Sequence, residues 1–160
     1  MKKIQFVCHG NICRSPMAEI LFRDLVEKAG LSDRISVSSG ATSSEEIFNG
    51  IGNPIYPPAL AELQKHGFSG EGKRAVQLKK SDYDRYDLFI VMDQNNLRNI
   101  FRIFGSDPQG KVHKLLDYAD GGDVADPWYS RRFDVAYRDI LRGCEALLEE
   151  LVRNGIENEI

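Results

Sequence analysis

Cysteine is scarce in this chain. Three residues in 160, at positions 8, 13 and 144, form an odd set with no C-x-x-C pair and no histidine at zinc-ligand spacing, which argues against a disulfide scaffold and a structural zinc. No apolar run is long enough to span a bilayer. The opening Met1-Lys2-Lys3 passes into a strand-like segment too brief for the apolar region of a signal peptide. The expectation is a cytoplasmic protein, in a compartment where thiols stay reduced and free to react. Neither sign of charge collects in a block. With 21 basic and 24 acidic residues the net charge is -3, which disfavours a general nucleic-acid or anionic-membrane surface. Any anion must then be caught by local geometry. Repeats, low-complexity tracts and linkers are lacking too, and 42% hydrophobic with 28% charged residues is ordinary globular composition. One domain over residues 1–160 is expected.

What is present is an alternation of strand and helix. Ile4 to Val7 is a short run of β-branched and aromatic residues, and Pro16 to Ala29 carries Met17, Ile20, Leu21, Leu25 and Val26 at helical spacing before Gly30. Ile35 to Ser39 reads as a second strand, followed by a Ser, Asn and Gly-rich loop to Pro54. Ala59 to His66 is helical up to Gly67. Asp87 to Met92 is the continuous apolar run of a strand buried on both faces. Asp93 is placed to cap a helix through Leu97, Ile100, Phe101 and Phe104 that stops at Gly105; Val112 to Leu116 is a last strand and Phe133 to Val152 a closing helix. This predicts an α/β fold, a three-layer α/β/α sandwich around a four-stranded parallel sheet. Ligands of such sheets bind beyond the carboxyl ends of the strands, which directs attention to the phosphate-binding type of loop after the first strand.

That loop runs Cys8-His9-Gly10-Asn11-Ile12-Cys13-Arg14-Ser15, with Pro16 in the first helical turn. A loop wrapping onto a helix N-terminus aims successive backbone N–H groups at one spot, an anion site strengthened by the helix dipole. Gly10 and Asn11 are residue types that tolerate the backbone angles such a nest requires. Arg14 supplies a planar fork for two phosphate oxygens. A tetrahedral oxyanion held by His9, Gly10, Asn11, Ile12, Cys13, Arg14 and Ser15 would sit above the Cys8 sulfur, and the same field favours the thiolate. Ser15 would donate a hydrogen bond to that sulfur. Cys8 is thereby a candidate nucleophile. Displacing an alkoxide or phenoxide also needs a proton donor. Asp117, Asp120, Asp123 and Asp126 all follow the last strand, and chemistry alone does not choose among them. Asp126-Pro127-Trp128-Tyr129 stands apart, since its proline stiffens the loop and its two rings could wall a slot for an aromatic leaving group.

The segment Val7 to Pro16 closely resembles the signature of low-molecular-weight protein tyrosine phosphatases, and Asp126-Pro127 resembles that family's acid loop. Ser38 to Thr42, Gly52-Asn53-Pro54, His66-Gly67 and Val91-Met92-Asp93 are similar to family segments in the same order. The resemblance implies phosphotyrosine hydrolysis through a phosphocysteine intermediate, with Cys8 as nucleophile, Arg14 binding phosphate and Asp126 as general acid and then base. It implies that Asn11, Ser15, Ser39 and His66 form the network supporting the loop, and that Cys13 protects Cys8 from irreversible oxidation. The family's fold is a four-stranded parallel sheet, in agreement with the pattern above. Ile12, Phe48, Trp128 and Tyr129 are the expected substrate rim. Phe48 lies in a stretch, Ile47 to Ile51, that looks like an insertion in a loop normally lending an aromatic to the site; residue 9 departs as His and residue 128 as Trp.

No cofactor and no metal are expected, because Arg14 and the backbone nest supply charge stabilisation. Expected partners are phosphotyrosine proteins, a cognate tyrosine kinase, and inorganic phosphate or sulfate as product-like ligands. Two activities on the same fold are the alternatives. Arsenate reductase needs relay cysteines, for which only Cys144 remains; protein-arginine phosphatase resembles this loop with Thr where Ile12 stands, and the bulkier Ile12 favours a phenyl ester. Gly67 to Arg74 nearly spells a nucleotide-binding P-loop, but Arg74 occupies the Ser or Thr position and the segment follows a helix. Arg131 and Arg132 beside the acid loop are candidates for attracting acidic sequence around a phosphotyrosine. His113 has no evident partner.

Overall fold

The computed structural model describes residues 1–155. In chain order the elements are β1 (Lys2–Cys8), α1 (Arg14–Lys28), β2 (Ile35–Ala41), β3 (Ile47–Phe48), β4 (Ile51–Gly52), α2 (Pro57–Lys65), β5 (Leu88–Val91), α3 (Gln94–Phe104), β6 (Val112–Lys114), α4 (Pro127–Ser130) and α5 (Phe133–Arg153). Short 3₁₀ turns at Lys80–Asp84 and Leu115–Tyr118 precede β5 and follow β6. Four strands form one parallel sheet in the order β2-β1-β5-β6.

Period-two alternation on the central strands explains the three layers. Ile4, Phe6 and Cys8 of β1, with Ile90 and Met92 at β5, turn to the face covered by α1 and α5. Val7, Phe89 and Val91 turn to the opposite face, packing on Ile100 and Phe104 of α3 and on Leu78 and Val112. Both faces are covered, so β5 reads as an unbroken apolar run, and β1 carries a single buried polar residue, Gln5, between Ile4 and Phe6. Within α5 the buried positions Phe133, Ala136, Tyr137, Ile140, Cys144, Leu147 and Leu151 recur every three or four residues. Gly143 permits close approach, since a β-carbon there would lie 2.5 Å from Leu115 Cγ.

The β1 register against β5 pairs Val7 with Val91, so the chain leaving β1 at Cys8 lies beside the chain leaving β5 at Met92 and Asp93. That juxtaposition positions the site. Helix α1 begins at Arg14, two residues ahead of the expected Pro16, and so incorporates the last two residues of the loop. The last strand stops at Lys114 because Leu115 and Leu116 turn into the core as a 3₁₀ turn. A further difference is the β3–β4 hairpin inside the stretch expected as irregular loop. Asn49 and Gly50 at its tip have φ of 52° and 77°, the left-handed pair of a tight two-residue turn whose twist matches the flanking strands. No helix among the described residues is long and apolar enough to cross a membrane.

Candidate active site

Cys8 ends β1 with its sulfur 2.9 Å from Ser15 Oγ and 3.4 Å from the Ser15 backbone N–H. The loop therefore curls back on its own first residue. Asn11 makes the curl possible: its φ is 59°, a left-handed conformation that asparagine tolerates better than most residues. Its side chain is 1% exposed and fully engaged. The amide donates to Ser15 Oγ at 2.8 Å and to Ser39 Oγ at 2.9 Å, and its oxygen accepts the Val76 N–H at 3.0 Å. Outside the loop, Thr42 N–H donates to the Cys8 carbonyl and Ser43 N–H to that of His9, both at 3.0 Å, while Tyr56 N–H donates to the Ile12 carbonyl at 2.8 Å.

The chain of bonds continues to a buried carboxylate. Ser39 donates its hydroxyl to Glu19, which also accepts from Arg23 at 2.7 Å and faces Lys73 Nζ at 3.4 Å. An ionised carboxylate can only accept, so the direction of every bond behind it is fixed. Ser39 gives its proton to Glu19, Asn11 spends its two amide protons on Ser39 and Ser15, and the Ser15 proton is left to point at Cys8 Sγ.

Arg14 is 3% exposed and held at three points. Nη1 donates to Asp93 Oδ2 at 2.7 Å and to the Val124 carbonyl at 2.8 Å, and Nη2 lies 3.5 Å from Asp126 Oδ2. Burial works against the guanidinium's charge, but Cys8, Asp93 and Asp126 outweigh it and hold its pKa above the ordinary arginine value. Asp93 has two tasks. Its Oδ1 caps α3 by accepting the Asn96 N–H at 2.8 Å, which leaves Oδ2 for Arg14.

Of the four aspartates after the last strand, Asp126 alone lines the cleft above Cys8. Asp120 pairs with Arg142 at 3.2 Å, Asp123 with Lys114 at 2.9 Å, and Asp117 sits in the 3₁₀ turn beside a different hollow. Asp126 is oriented by accepting the Trp128 N–H at 3.0 Å on Oδ1. The cleft is about 400 Å³. Cys8, Gly10, Cys13 and Arg14 form its floor, His9, Glu45 and Glu46 stand on one side, and Ile12, Tyr56, Trp128 and Tyr129 complete the wall with Asp126. The first turn of α1 has no side-chain cap; with the Ser15 N–H on the Cys8 sulfur and the Met17 N–H on the Cys13 carbonyl, the Arg14 N–H is left to an anion in the cleft. Among the described residues no cluster of three or more His, Cys, Asp or Glu is placed to hold a metal ion.

Several expected residues stand elsewhere. Asn11 and Ser15 do not line the cleft with their side chains; they brace it from behind. His66 takes no part in that brace. It accepts or donates at 2.9 Å to Glu62 one turn earlier and stacks on Tyr137 at 3.9 Å between ring centroids, because the end of α2 packs on α5 and not on the loop. The charged members of the brace are Glu19, Arg23 and Lys73, the last from the segment that nearly spelled a nucleotide-binding motif. Phe48 is also off the cleft: on β3 its side chain is 63% exposed. Tyr56 is the aromatic that replaces it, with its ring 4.9 Å from Trp128. Arg131 donates to Tyr56 Oη at 3.2 Å and lies over the Tyr56 and Phe133 rings, while Arg132 pairs with Asp134 at 3.1 Å.

Asp93, Glu19, Lys73 and Tyr56 were not singled out as site residues in the sequence. Asp93 carried the one available signal, since a capping residue at the end of a central parallel strand stands beside any loop at the neighbouring strand's end. None of the three cysteines is in a disulfide. Burial, reinforced by Cys8, pushes the Cys13 thiol well above the ordinary range. Cys144 is fully buried under the Ala18 carbonyl at 3.9 Å, out of reach of the cleft as a relay thiol. His113 Nε2 bonds the Gly110 carbonyl at 2.9 Å.

Residues 3–157 match the family model described as low molecular weight phosphotyrosine protein phosphatase. The Bacillus subtilis low molecular weight protein-tyrosine-phosphatase YfkJ is 37% identical over 94% of this chain and 96% of its own. The crystal structure of YfkJ superimposes with a TM-score of 0.90 over 97% of both chains. The Mus musculus low molecular weight phosphotyrosine protein phosphatase is 36% identical over 93% of this chain and 95% of its own. The low molecular weight protein tyrosine phosphatase of Streptococcus pyogenes is 32% identical, with a TM-score of 0.82 over the whole of both chains.

Proposed function

The chain belongs to the low molecular weight phosphotyrosine protein phosphatase family, and from that premise we propose that it hydrolyses phosphotyrosine and small aryl phosphates through a phosphocysteine at Cys8. It is a protein-tyrosine-phosphatase, a phosphoric monoester hydrolase. The observation that carries the mechanism is the convergence of Cys8, Arg14 and Asp126 on one cleft.

The phosphoryl group sits on the loop with two oxygens on the Arg14 fork and the others on backbone N–H groups. Cys8 thiolate attacks phosphorus in line as the ester P–O bond breaks. Asp126, protonated at this stage, gives its proton to the departing phenolic oxygen, so tyrosine leaves neutral. A water then loses a proton to the Asp126 carboxylate and attacks the phosphocysteine, breaking the P–S bond and releasing phosphate and the thiolate. Ser15 donates to sulfur at both ends of the cycle. Arg14 and the amides meet the charge on the three equatorial oxygens, and Ile12, Tyr56, Trp128 and Tyr129 hold the phenyl ring. Cys13 guards the nucleophile by capping an oxidised Cys8 as a disulfide. The reaction belongs in a reducing, cytoplasmic compartment alongside a tyrosine kinase that makes the substrate.

p-Nitrophenyl phosphate hydrolysis measured with a chelator present tests this reading. Turnover by the wild type and its loss in Cys8→Ser are expected; undiminished activity in Cys8→Ser would overturn the mechanism.

A further inference from the structure

The hairpin that the sequence marks as an insertion has no task in holding the cleft, and its construction is unusual for an idle loop. Its base is fixed. Asn53 N–H donates to the Glu46 carbonyl at 2.8 Å and Ala75 N–H to the Asn53 carbonyl at 2.9 Å. Gly52 lies so close to the strap at Ala75 that a β-carbon would be 2.0 Å from its carbonyl oxygen. On this rooted hairpin Phe48 and Ile51 are a directly opposed cross-strand pair, so both side chains share one face. They are 63% and 65% exposed. Two large apolar side chains set side by side in water, on a rigid support, is the pattern of a contact surface.

The hairpin continues directly from the cleft wall. Glu45 and Glu46, the residues before β3, stand at the mouth. Glu46 is bound by Asn53 Nδ2 at 2.7 Å, and Glu45 is exposed with only His9 at 3.0 Å. On this side of the mouth the carboxylates are those of Glu45 and Glu46, while on the far side Arg131 lies against the Tyr56 and Phe133 rings and Arg132 pairs with Asp134. Phe48 is two strand residues beyond Glu46, about 7 Å along the chain. A phosphotyrosine seated over Cys8 belongs to a polypeptide, and this wall is one of the surfaces that polypeptide can cross on leaving the cleft.

Resting on the phosphatase reading, we propose that Glu45, Phe48 and Ile51 form a substrate-docking surface that selects phosphotyrosine sites flanked by a basic residue next to the tyrosine and an apolar residue two or three positions away. The cation would meet Glu45 at the mouth. The apolar side chain would cover the Phe48 and Ile51 pair.

The test compares kcat/KM on p-nitrophenyl phosphate and on three phosphotyrosine peptides: alanine-flanked, lysine-leucine-flanked and glutamate-flanked. The wild type should favour the lysine-leucine peptide over the alanine peptide by about tenfold, from partial burial of one apolar side chain plus an exposed ion pair. Phe48→Ser with Ile51→Ser should remove the leucine share, about fivefold, and leave p-nitrophenyl phosphate turnover unchanged. Glu45→Lys should reverse the ranking of the lysine and glutamate peptides. Equal kcat/KM on all three peptides, or equal losses on peptide and small substrate in the double serine variant, would overturn the docking surface while the enzyme still turned over p-nitrophenyl phosphate. A concentration-dependent dimer abolished by the double variant would also overturn it, by assigning the hairpin to self-association. Absence of any turnover by the wild type would instead fall on the proposed function.

Discussion

Cys8 and Arg14 on the cleft floor and Asn11 and Ser15 in the brace behind it are each 4% exposed or less, whereas Trp128, Phe48 and Tyr129 around and beyond its mouth are 51%, 63% and 83% exposed. On the floor every polar side chain has named partners that belong to other elements: Ser39 and Glu19 from β2 and α1, Asp93 from the end of β5, Val124 from the acid loop. At the mouth the contacts are ring against ring and one exposed ion pair. The contrast follows from what each region must do. Phosphoryl transfer needs donors fixed to a fraction of an ångström, which only an over-determined network achieves, and each member removed leaves others buried and unpaired. Recognition of a flanking residue needs surface that can vary without disturbing the network behind it.

Substitutions should separate the two regions. Cys8→Ser removes the nucleophile and should lower kcat on p-nitrophenyl phosphate by about 10⁴-fold or more, with the circular dichroism spectrum unchanged. Arg14→Lys keeps a cation but loses the fork, and kcat/KM should fall by about 10³-fold. A loss under tenfold would mean that the amides alone hold the phosphoryl group. Asp126→Asn should slow phenyl phosphate by about 10²-fold and p-nitrophenyl phosphate, whose leaving group needs little help, far less; equal losses would point to another acid.

The sharper comparison is energetic. Asn11→Ala strips Ser15, Ser39 and the Val76 N–H of a shared partner, so urea denaturation should show a stability loss of about 2–3 kcal/mol together with a drop in kcat. Trp128→Ala should change stability by about 0.5 kcal/mol or less and act mainly on KM. If the two variants behave alike, the floor and the mouth are one unit. The smallest effect concerns the remaining thiols. Burial raises the pKa of both Cys13 and Cys144, so at pH 9 each carries less thiolate than a free cysteine. In folded Cys8→Ser neither should react appreciably with iodoacetamide, and both should react in urea. The folded protein holds these two protons more tightly than the unfolded chain does. The stability they contribute is therefore complete below the ordinary thiol value of 9.0 and declines as pH rises above it.

What was legible in the sequence was whatever is written in contiguous residues. Cys8 through Pro16 spells strand end, turn, anion loop and helix start in one segment, and Asp126-Pro127 marks a loop by its own chemistry. The alternation of strand and helix patterns pointed to the parallel sheet, most clearly at Leu88 to Val91, apolar throughout because both its faces are covered. The brace behind the loop was only partly legible. Ser39 and Asn11 were implied by resemblance, but Lys73 sat in a segment that read as a failed phosphate motif. Its pairing with Glu19 depends on two chain segments meeting behind β2, which no spacing rule encodes. His66 and Phe48 erred for the same reason: a residue type suited to a role was near the right place in sequence, and packing turned it elsewhere.

By itself the sequence determined the fold class, the loop and the placing of a cysteine and an arginine at its two ends, since local backbone preference and apolar period act between near neighbours. Only the tertiary structure decided which cations anchor the brace, and that the inserted hairpin turns its two large apolar side chains to solvent. Those are matters of distance between residues far apart in the chain, and the packing of helices on the sheet fixes them.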